Sequence, residues 1–90
     1  MPYRSSPDTR WSVEKDGIVL WNLATGARLL LGYPQAAVWD LASRSDSEEH
    51  LARKIAAIAG LDSSAAQRLV RESLAQFAEA GFLTRDQGNG

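Results

Sequence analysis

The sequence predicts an α+β domain in which a three-stranded antiparallel β-meander is followed by three α-helices. Up to Gly32, apolar, β-branched and aromatic residues fall in short runs separated by glycine-containing turns, as in hairpin-connected strands. After Gly32, apolar residues recur at the spacing of amphipathic helices. The length of 90 residues, with 44% hydrophobic and 23% charged residues, is that of one folded globular domain.

The first hairpin is predicted from a change of pattern on either side of a turn. Apolar and polar residues alternate from Trp11, as in a half-buried strand. Asp16-Gly17 predicts a type I′ turn, whose two central residues need positive φ. Residues 18–23 are rich in β-branched and aromatic residues and form the second strand. Trp11 and Trp21 are expected to face each other across this hairpin.

The third strand follows a second short turn. Gly26 supplies the left-handed position of that turn, and residues 27–31 form the strand. Two successive hairpins give the strand order 1-2-3. The first and third strands therefore lie at the edges of the predicted sheet.

The first two helices are predicted from the residues at their ends. Pro34 suits the first turn of a helix, so residues 34–43 form the first helix, with Trp39 at the edge of the core. A capping box at residues 45–48 begins the second helix, and Gly60 ends it. The residues expected to face the core from these two helices are Ala37, Val38, Leu41, Ala42, Leu51, Ile55 and Ile58.

The third helix is predicted to begin at a second capping box, residues 64–67, and to end at Gly81. Phe82-Leu83 then predicts a short extended segment that folds back on the core. The apolar residues of this helix are Leu69, Val70, Leu74, Phe77 and Ala78.

The chain ends and the charge balance set the domain limits and the location. Residues 1–10 are polar and contain proline and serine, so we expect a flexible N-terminal arm. Residues 86–90 predict a disordered tail, which leaves 11–85 as the folded domain.

No apolar run approaches the roughly 20 residues of a membrane span, and no signal-peptide stretch is present. With 10 Lys+Arg against 11 Asp+Glu, the formal charge of −1 favours neither a nucleic-acid nor a membrane partner. The expected location is cytoplasmic.

The residue inventory disfavours catalysis and metal binding. The chain has no cysteine, hence no disulfide, thiolate zinc site, iron–sulfur cluster or thiol nucleophile. His50 is the one histidine, and beside Glu48 and Glu49 it is more simply a solvated side chain than a base or ligand. No phosphate-binding loop or dinucleotide fingerprint is present. We therefore expect no catalytic residue, no metal and no cofactor.

The second and third strands carry more apolar residues than the three helices would cover, because apolar side chains point to both faces of the sheet. Leaving Trp21 or Leu30 in water costs about 1.5–3 kcal/mol each. The N-terminal arm, a second copy or another chain would cover them. An edge strand beside an apolar cleft is the geometry that binds an extended peptide by β-augmentation. The alternative is that these residues complete a tight core against the third helix, and the residues alone leave both open.

A basic pair on the third helix suggests a different function. Arg68 and Arg71 lie where a winged helix-turn-helix protein carries its DNA-recognition helix. Glu72 and Glu79 offset their charge, and DNA-binding domains usually have a clear excess of lysine and arginine. The same arginines would suit acidic side chains of a bound peptide.

Four runs stand out in combination: DGIVLWNLATG at 16–26, LLL at 29–31, AAVWDL at 36–41 and, after Leu69, Leu74 and Phe77, AGFL at 80–83. Together they resemble the PqqD-like family of peptide-modification chaperones, also called RiPP recognition elements. The resemblance covers roughly residues 11–84, and its motifs are mostly glycines and core positions. Many members have aromatic residues at the positions of 29–31, so their leader preference does not transfer to this chain.

The resemblance implies a winged-helix-like domain without catalytic activity or cofactor. Such domains bind the leader segment of a ribosomally made precursor peptide and present it to a modifying enzyme, such as a radical-SAM maturase, a cyclase or a leader protease. The leader adds as a fourth antiparallel strand on the third strand, against the third helix. A winged-helix DNA-binding regulator, or a module that docks on a folded partner, is the alternative. The peptide-binding residues implied for this chain are Ala27, Arg28, Leu29, Leu30, Leu31, Ala66, Val70, Arg71 and Leu74.

Overall fold

The order of the elements follows the prediction, with one further short strand near the N-terminus and a short strand near the C-terminus where an extended segment is predicted. The computed structural model describes residues 3–44 and 47–85, so the predicted tail at 86–90 and the first two residues of the capping box at 45–48 lie outside the described residues. The elements are Tyr3–Ser5 (β1), Thr9–Glu14 (β2), Gly17–Asn22 (β3), Arg28–Leu31 (β4), Gln35–Ala42 (α1), Glu48–Ala59 (α2), Ser63–Glu79 (α3) and Leu83–Arg85 (β5).

The strands β2, β3 and β4 form the antiparallel meander in the order β2-β3-β4. Leu20 at the centre lies opposite Trp11 in β2 and Leu29 in β4, and these three side chains share the face that is turned toward the helices. Val19, the neighbour of Leu20, lies opposite Leu30, and this pair belongs to the outer face. The α+β prediction of a three-stranded antiparallel sheet followed by three helices is confirmed.

The first hairpin differs from its prediction. Its two-residue loop is Lys15-Asp16, closed by the pairing of Glu14 with Gly17, and Gly17 does not adopt a positive φ. Glycine is required there because a Cβ at this position would collide with the carbonyl oxygen of Leu31 in β4. The predicted type I′ turn at Asp16-Gly17 is therefore wrong, and close packing between β3 and β4 explains the glycine.

Trp39 lies in the core and contacts two other aromatic rings, those of the buried Phe77 and the more exposed Trp11. Trp39 has no exposed surface, and its ring meets Trp11 and Phe77 edge to face, each at a centroid distance of 5.4 Å. The predicted place of Trp39 at the edge of the core is therefore wrong. Trp21 lies opposite Arg10, the chain neighbour of Trp11, so the two strand tryptophans point to opposite faces of the sheet and the predicted aromatic pair is also wrong.

The N-terminal segment is paired, although its composition predicts a flexible arm over residues 1–10. Tyr3–Ser5 forms an antiparallel pair with β5. Next to it, the backbone N–H of Ser6 donates to the carbonyl of Phe82 at 2.9 Å, and the buried Thr9 hydroxyl donates to the same carbonyl at 3.1 Å. The partner of this segment lies at the other end of the chain, so no local pattern predicts the pairing.

Both long helices begin at side-chain caps that lie two residues from the predicted ones. Ser47 accepts a hydrogen bond from the backbone N–H of His50 at 3.3 Å before α2. Asp62 accepts one from the N–H of Ala65 at 2.8 Å before α3. Serine and aspartate are comparable caps, so a polar stretch that holds several of them does not specify which one is used.

The glycines that end α2 and α3 are confirmed as left-handed, with φ of 67° at Gly60 and 86° at Gly81. Leu51 and Ile55 of α2 are buried as predicted. Ile58 is 62% exposed, so its predicted place in the core is wrong: the last turn of α2 runs past the core. Within the described ranges, no helix combines the length and the apolar character needed to cross a membrane.

Candidate functional site

The edge of the sheet at β4 is unpaired among the described strands. β4 pairs with β3 on one side, and no other described strand pairs with it on the other side. β1, the N-terminal strand, pairs with β5 in a separate two-stranded sheet. The backbone groups on the outer side of β4 are therefore available to a further strand.

The hydrogen-bond pattern tells which backbone groups face that edge. The N–H of Asn22 donates to the carbonyl of Ala27 at 2.9 Å at the start of the β3–β4 ladder. Residues along an antiparallel strand alternate between bonding to the neighbour and pointing away from it. Leu29 therefore bonds toward β3, whereas the N–H and C=O groups of Arg28 and Leu30 point to the free edge.

The side chains of β4 divide between the two faces of the sheet. Leu31 is buried in the core, and Leu29 and the preceding Ala27 are half-buried and pack against it. Arg28 is exposed on the outer face, and Leu30 is 71% exposed there. The strand thus presents apolar side chains on both faces at the point where its backbone is unpaired.

The sheet has a second free edge, at β2, with a different character. Its outer face carries the polar residues Arg10, Ser12 and Glu14, although Val13 on the inner face is 69% exposed. A peptide added to β2 would meet apolar surface on one face only. The edge at β4 is therefore the better site for an apolar peptide strand.

The α3 residues that the resemblance implies do not form a surface. Ala66, Val70 and Leu74 have no exposed area, because their four-residue spacing places them on the helix face that is turned into the molecule. Arg71 is exposed, but it lines a hollow between α2 and α3. The structure thus places Ala66, Val70 and Leu74 in the interior and Arg71 at the hollow between the two helices, and their contact with a peptide stays a prediction.

A different side of α3 contacts the N-terminal end of α1, the helix that follows β4. The side-chain amide of Gln35, which closely follows β4, donates to the side-chain oxygen of Gln76 at 2.9 Å. Leu69 lies two turns before Gln76 on the same side of α3 and is half-buried against the core. From the sequence, Leu69 is named only as an apolar residue of the third helix, and Gln76 is not named. The seven-residue spacing of the two places them on one side of a helix, and this spacing is the signal that could have identified that side.

The hollow between α2 and α3 is an open depression of about 530 Å³. It carries both signs of charge, from Glu48 and Glu49 on one helix and Arg53 and Arg71 on the two helices. Within residues 3–44 and 47–85, no group of three or more histidine, cysteine, aspartate or glutamate side chains is placed to hold a metal ion. The hollow thus provides neither a uniform electrostatic surface nor a metal centre.

Two solved structures share this fold over nearly its whole length. One is described as TbiB1 in complex with the TbiA(beta) leader peptide: it is 23% identical, with a TM-score of 0.83 over 97% of this chain and 98% of that one. The other is a lasso peptide synthetase B1 complexed with the leader peptide: it is 16% identical, with a TM-score of 0.85 over 94% of this chain and 100% of that one. No family model and no curated protein matches the chain. The fold implied by the PqqD-like resemblance is thereby confirmed.

Proposed function

We propose that this chain binds the leader segment of a ribosomally made precursor peptide as an additional antiparallel strand on β4, and presents it to a modifying enzyme without catalysing a reaction itself. The observation that carries the proposal is the unpaired edge of β4 with apolar side chains on both faces. An extended peptide satisfies the backbone groups of Arg28 and Leu30 and covers the exposed Leu30 side chain in the same step.

The two proteins of the same fold support this function. Each is described as a complex with a leader peptide, and each is matched by this chain over 98% of its length or more. Among the enzymes that such a chain would serve, these descriptions favour the components of a lasso peptide synthetase.

The energetics suit a reversible carrier. Each added backbone hydrogen bond contributes about 0.5–1.5 kcal/mol net, and covering Leu30 contributes about 1–2 kcal/mol. Ordering a disordered leader opposes these gains. We expect a dissociation constant in the micromolar range or somewhat below, which lets the peptide be passed on.

The role of α3 in this proposal is to form one wall beside the peptide. Ala66, Val70 and Leu74 hold the helix against the core from the inside, and the side marked by Leu69 and Gln76 lies toward the start of α1, four residues after β4. The exposed Arg71 stays a predicted contact for a peptide that extends across α3.

An amide NMR titration tests the proposal. The probe is a synthetic peptide with the leader sequence of any short precursor gene found beside the gene for this chain. We expect the largest shift changes at residues 27–31 and on the Leu69–Gln76 side of α3. Shifts confined to the α2–α3 hollow would move the site, and the absence of saturable shifts would overturn the function. A duplex DNA titrated in parallel tests the alternative of a DNA-binding regulator, which requires binding that weakens steeply with salt.

A further inference from the structure

We propose that Arg28 selects an acidic residue in the bound peptide, at the second position after an apolar residue that lies against Leu30. The peptide would then carry the order apolar, any residue, acidic, from its N-terminus to its C-terminus. This inference rests on the proposed function and adds the side-chain chemistry that the β4 edge recognises.

Two rows of side chains cross the outer face of the sheet and end at the free edge. One row runs from Arg10 through Trp21 to Arg28. The other contains Val19 and ends at Leu30. A fourth strand on β4 extends each row by one residue, because side chains directly opposite each other in a sheet lie on the same face.

The first row has a positive charge at its end. The guanidinium of Arg28 lies over the ring of Trp21, with its central carbon 5.8 Å from the ring centroid. This stacking holds the guanidinium against the outer face of the sheet. Within the described ranges no carboxylate forms an ion pair with Arg28. A carboxylate opposite Arg28 on the added strand would form the ion pair that Arg28 lacks among the described residues.

The second row is apolar. Val19 is half-buried, while Leu30 keeps 71% of its surface exposed. An apolar side chain on the added strand covers Leu30 on its open side. A charged residue at that position would instead be placed against apolar surface.

The backbone pattern fixes the order of the two positions. Arg28 and Leu30 point their backbone groups to the free edge, so each forms a hydrogen-bonded pair with a peptide residue, at a Cα separation of about 5.5 Å. In an antiparallel strand the residue opposite Leu30 comes first and the residue opposite Arg28 comes two positions later. The residue between them lies opposite Leu29 and points to the inner face.

A peptide-display selection tests the inference. The probe is a library of random peptides of about ten residues, enough for one strand of about five or six with flanks. It is selected against the wild-type chain, against Arg28→Glu and against Arg10→Glu. Arg10 lies in the same row at the far edge, where its guanidinium donates to the carbonyls of Pro7 and Thr9, so the control makes the same change of charge away from β4.

Wild type and Arg10→Glu are expected to enrich aspartate or glutamate two positions after an apolar residue, and Arg28→Glu to enrich lysine or arginine there. For individual selected peptides, exchanging the acidic residue for lysine should weaken binding to wild type about two- to fivefold, the range of a cross-strand charge pair. Enriched peptides that show no charge preference at this position, or the same preference with Arg28→Glu, would overturn the inference and leave the proposed function standing. A library from which no peptide is enriched by any of the three proteins would overturn both.

Discussion

Leu30 lies directly opposite Val19 on the outer face of the sheet, yet 71% of its surface remains exposed. A leucine with a cross-strand partner is usually covered further by the next strand, and here the next strand is missing. Because β1 pairs with β5, the chain does not cover Leu30 with its own N-terminal strand. The exposure of this one side chain therefore marks the place where the sheet is open to another chain.

Replacing Leu30 by proline tests whether binding uses the backbone of β4. The N–H of Leu30 points to the free edge, so Leu30→Pro removes a donor for the peptide without removing a bond to β3. We expect the leader affinity to fall about tenfold or more, since one net hydrogen bond and the fit of the added strand are lost. Titration calorimetry measures the affinity, and circular dichroism checks that the fold is retained.

Val13→Pro is the matched control, because Val13 lies on the opposite edge and also points its N–H away from β3. Leu30→Ala keeps the N–H and removes most of the side chain. Equal losses for the two proline variants, or no loss for Leu30→Pro, would contradict binding at β4.

Adding a methyl group at Gly17 should destabilise the sheet. A Cβ there meets the carbonyl oxygen of Leu31, and this is backbone that cannot move without breaking the β3–β4 pairing. We expect Gly17→Ala to lower the free energy of unfolding by about 1–3 kcal/mol, measured by urea denaturation. Gly32→Ala serves as control, because a Cβ at Gly32 meets no atom within 4 Å. A loss of stability at Gly32 as large as that at Gly17 would argue against the steric explanation.

The side chain of Asn22 connects the turn after β3 to the end of α3. Its amide donates to the carbonyl of Gly81 at 2.9 Å, and its oxygen accepts from the N–H groups of Ala24 and Thr25 at 2.9 and 3.1 Å. Asn22 is 5% exposed, so Asn22→Ala leaves these groups unsatisfied and should cost about 2–3 kcal/mol of unfolding free energy.

Thr25→Ala is the comparison for Asn22→Ala, since the Thr25 hydroxyl accepts an exposed hydrogen bond from the N–H of Ala27 in the same turn. We expect it to change stability by about 0.5 kcal/mol or less. Similar thermal midpoints for the two variants would show that the Asn22 network contributes little.

Ser73 should tolerate replacement by alanine. Its hydroxyl is buried in α3 and has no hydrogen-bond partner among the described residues, and alanine has the higher helix propensity. We expect Ser73→Ala to raise the free energy of unfolding by about 1 kcal/mol. Asp62→Ala, which removes the cap of the same helix, should lower it by about 1 kcal/mol. A destabilised Ser73→Ala variant would indicate that the hydroxyl is bonded in solution.

The sequence predicts those parts of the fold that local patterns determine. Gly60 and Gly81 follow helices and Gly26 lies in the turn between β3 and β4, and all three adopt the predicted left-handed conformation. The apolar spacing after Gly32 predicts the helices. The partners of β1 and the reason for Gly17 depend on residues far away in the chain. A three-residue strand such as β1 is too short to show a periodic pattern. The constraint on Gly17 comes from the backbone of Leu31, which no pattern around Gly17 indicates.

In the candidate site, too, local patterns predict some features and not others. The apolar character of β4 on both faces is visible in the sequence, because strand periodicity assigns Leu29 and Leu30 to opposite sides. The predicted helix contacts rest on spacing alone. Ala66, Val70 and Leu74 show the spacing of an apolar helix face, but spacing alone does not tell whether that face meets the core or a ligand.

The pairing of Tyr3–Ser5 with Leu83–Arg85 brings the two termini of the described chain side by side. A fluorophore attached at Tyr3 or at Arg85 is therefore placed on the same sheet, and this sheet does not include β4. Immobilising the protein through either position should leave the same surface accessible, and a circular permutant that joins Tyr3 to Arg85 by a short linker should retain the native topology.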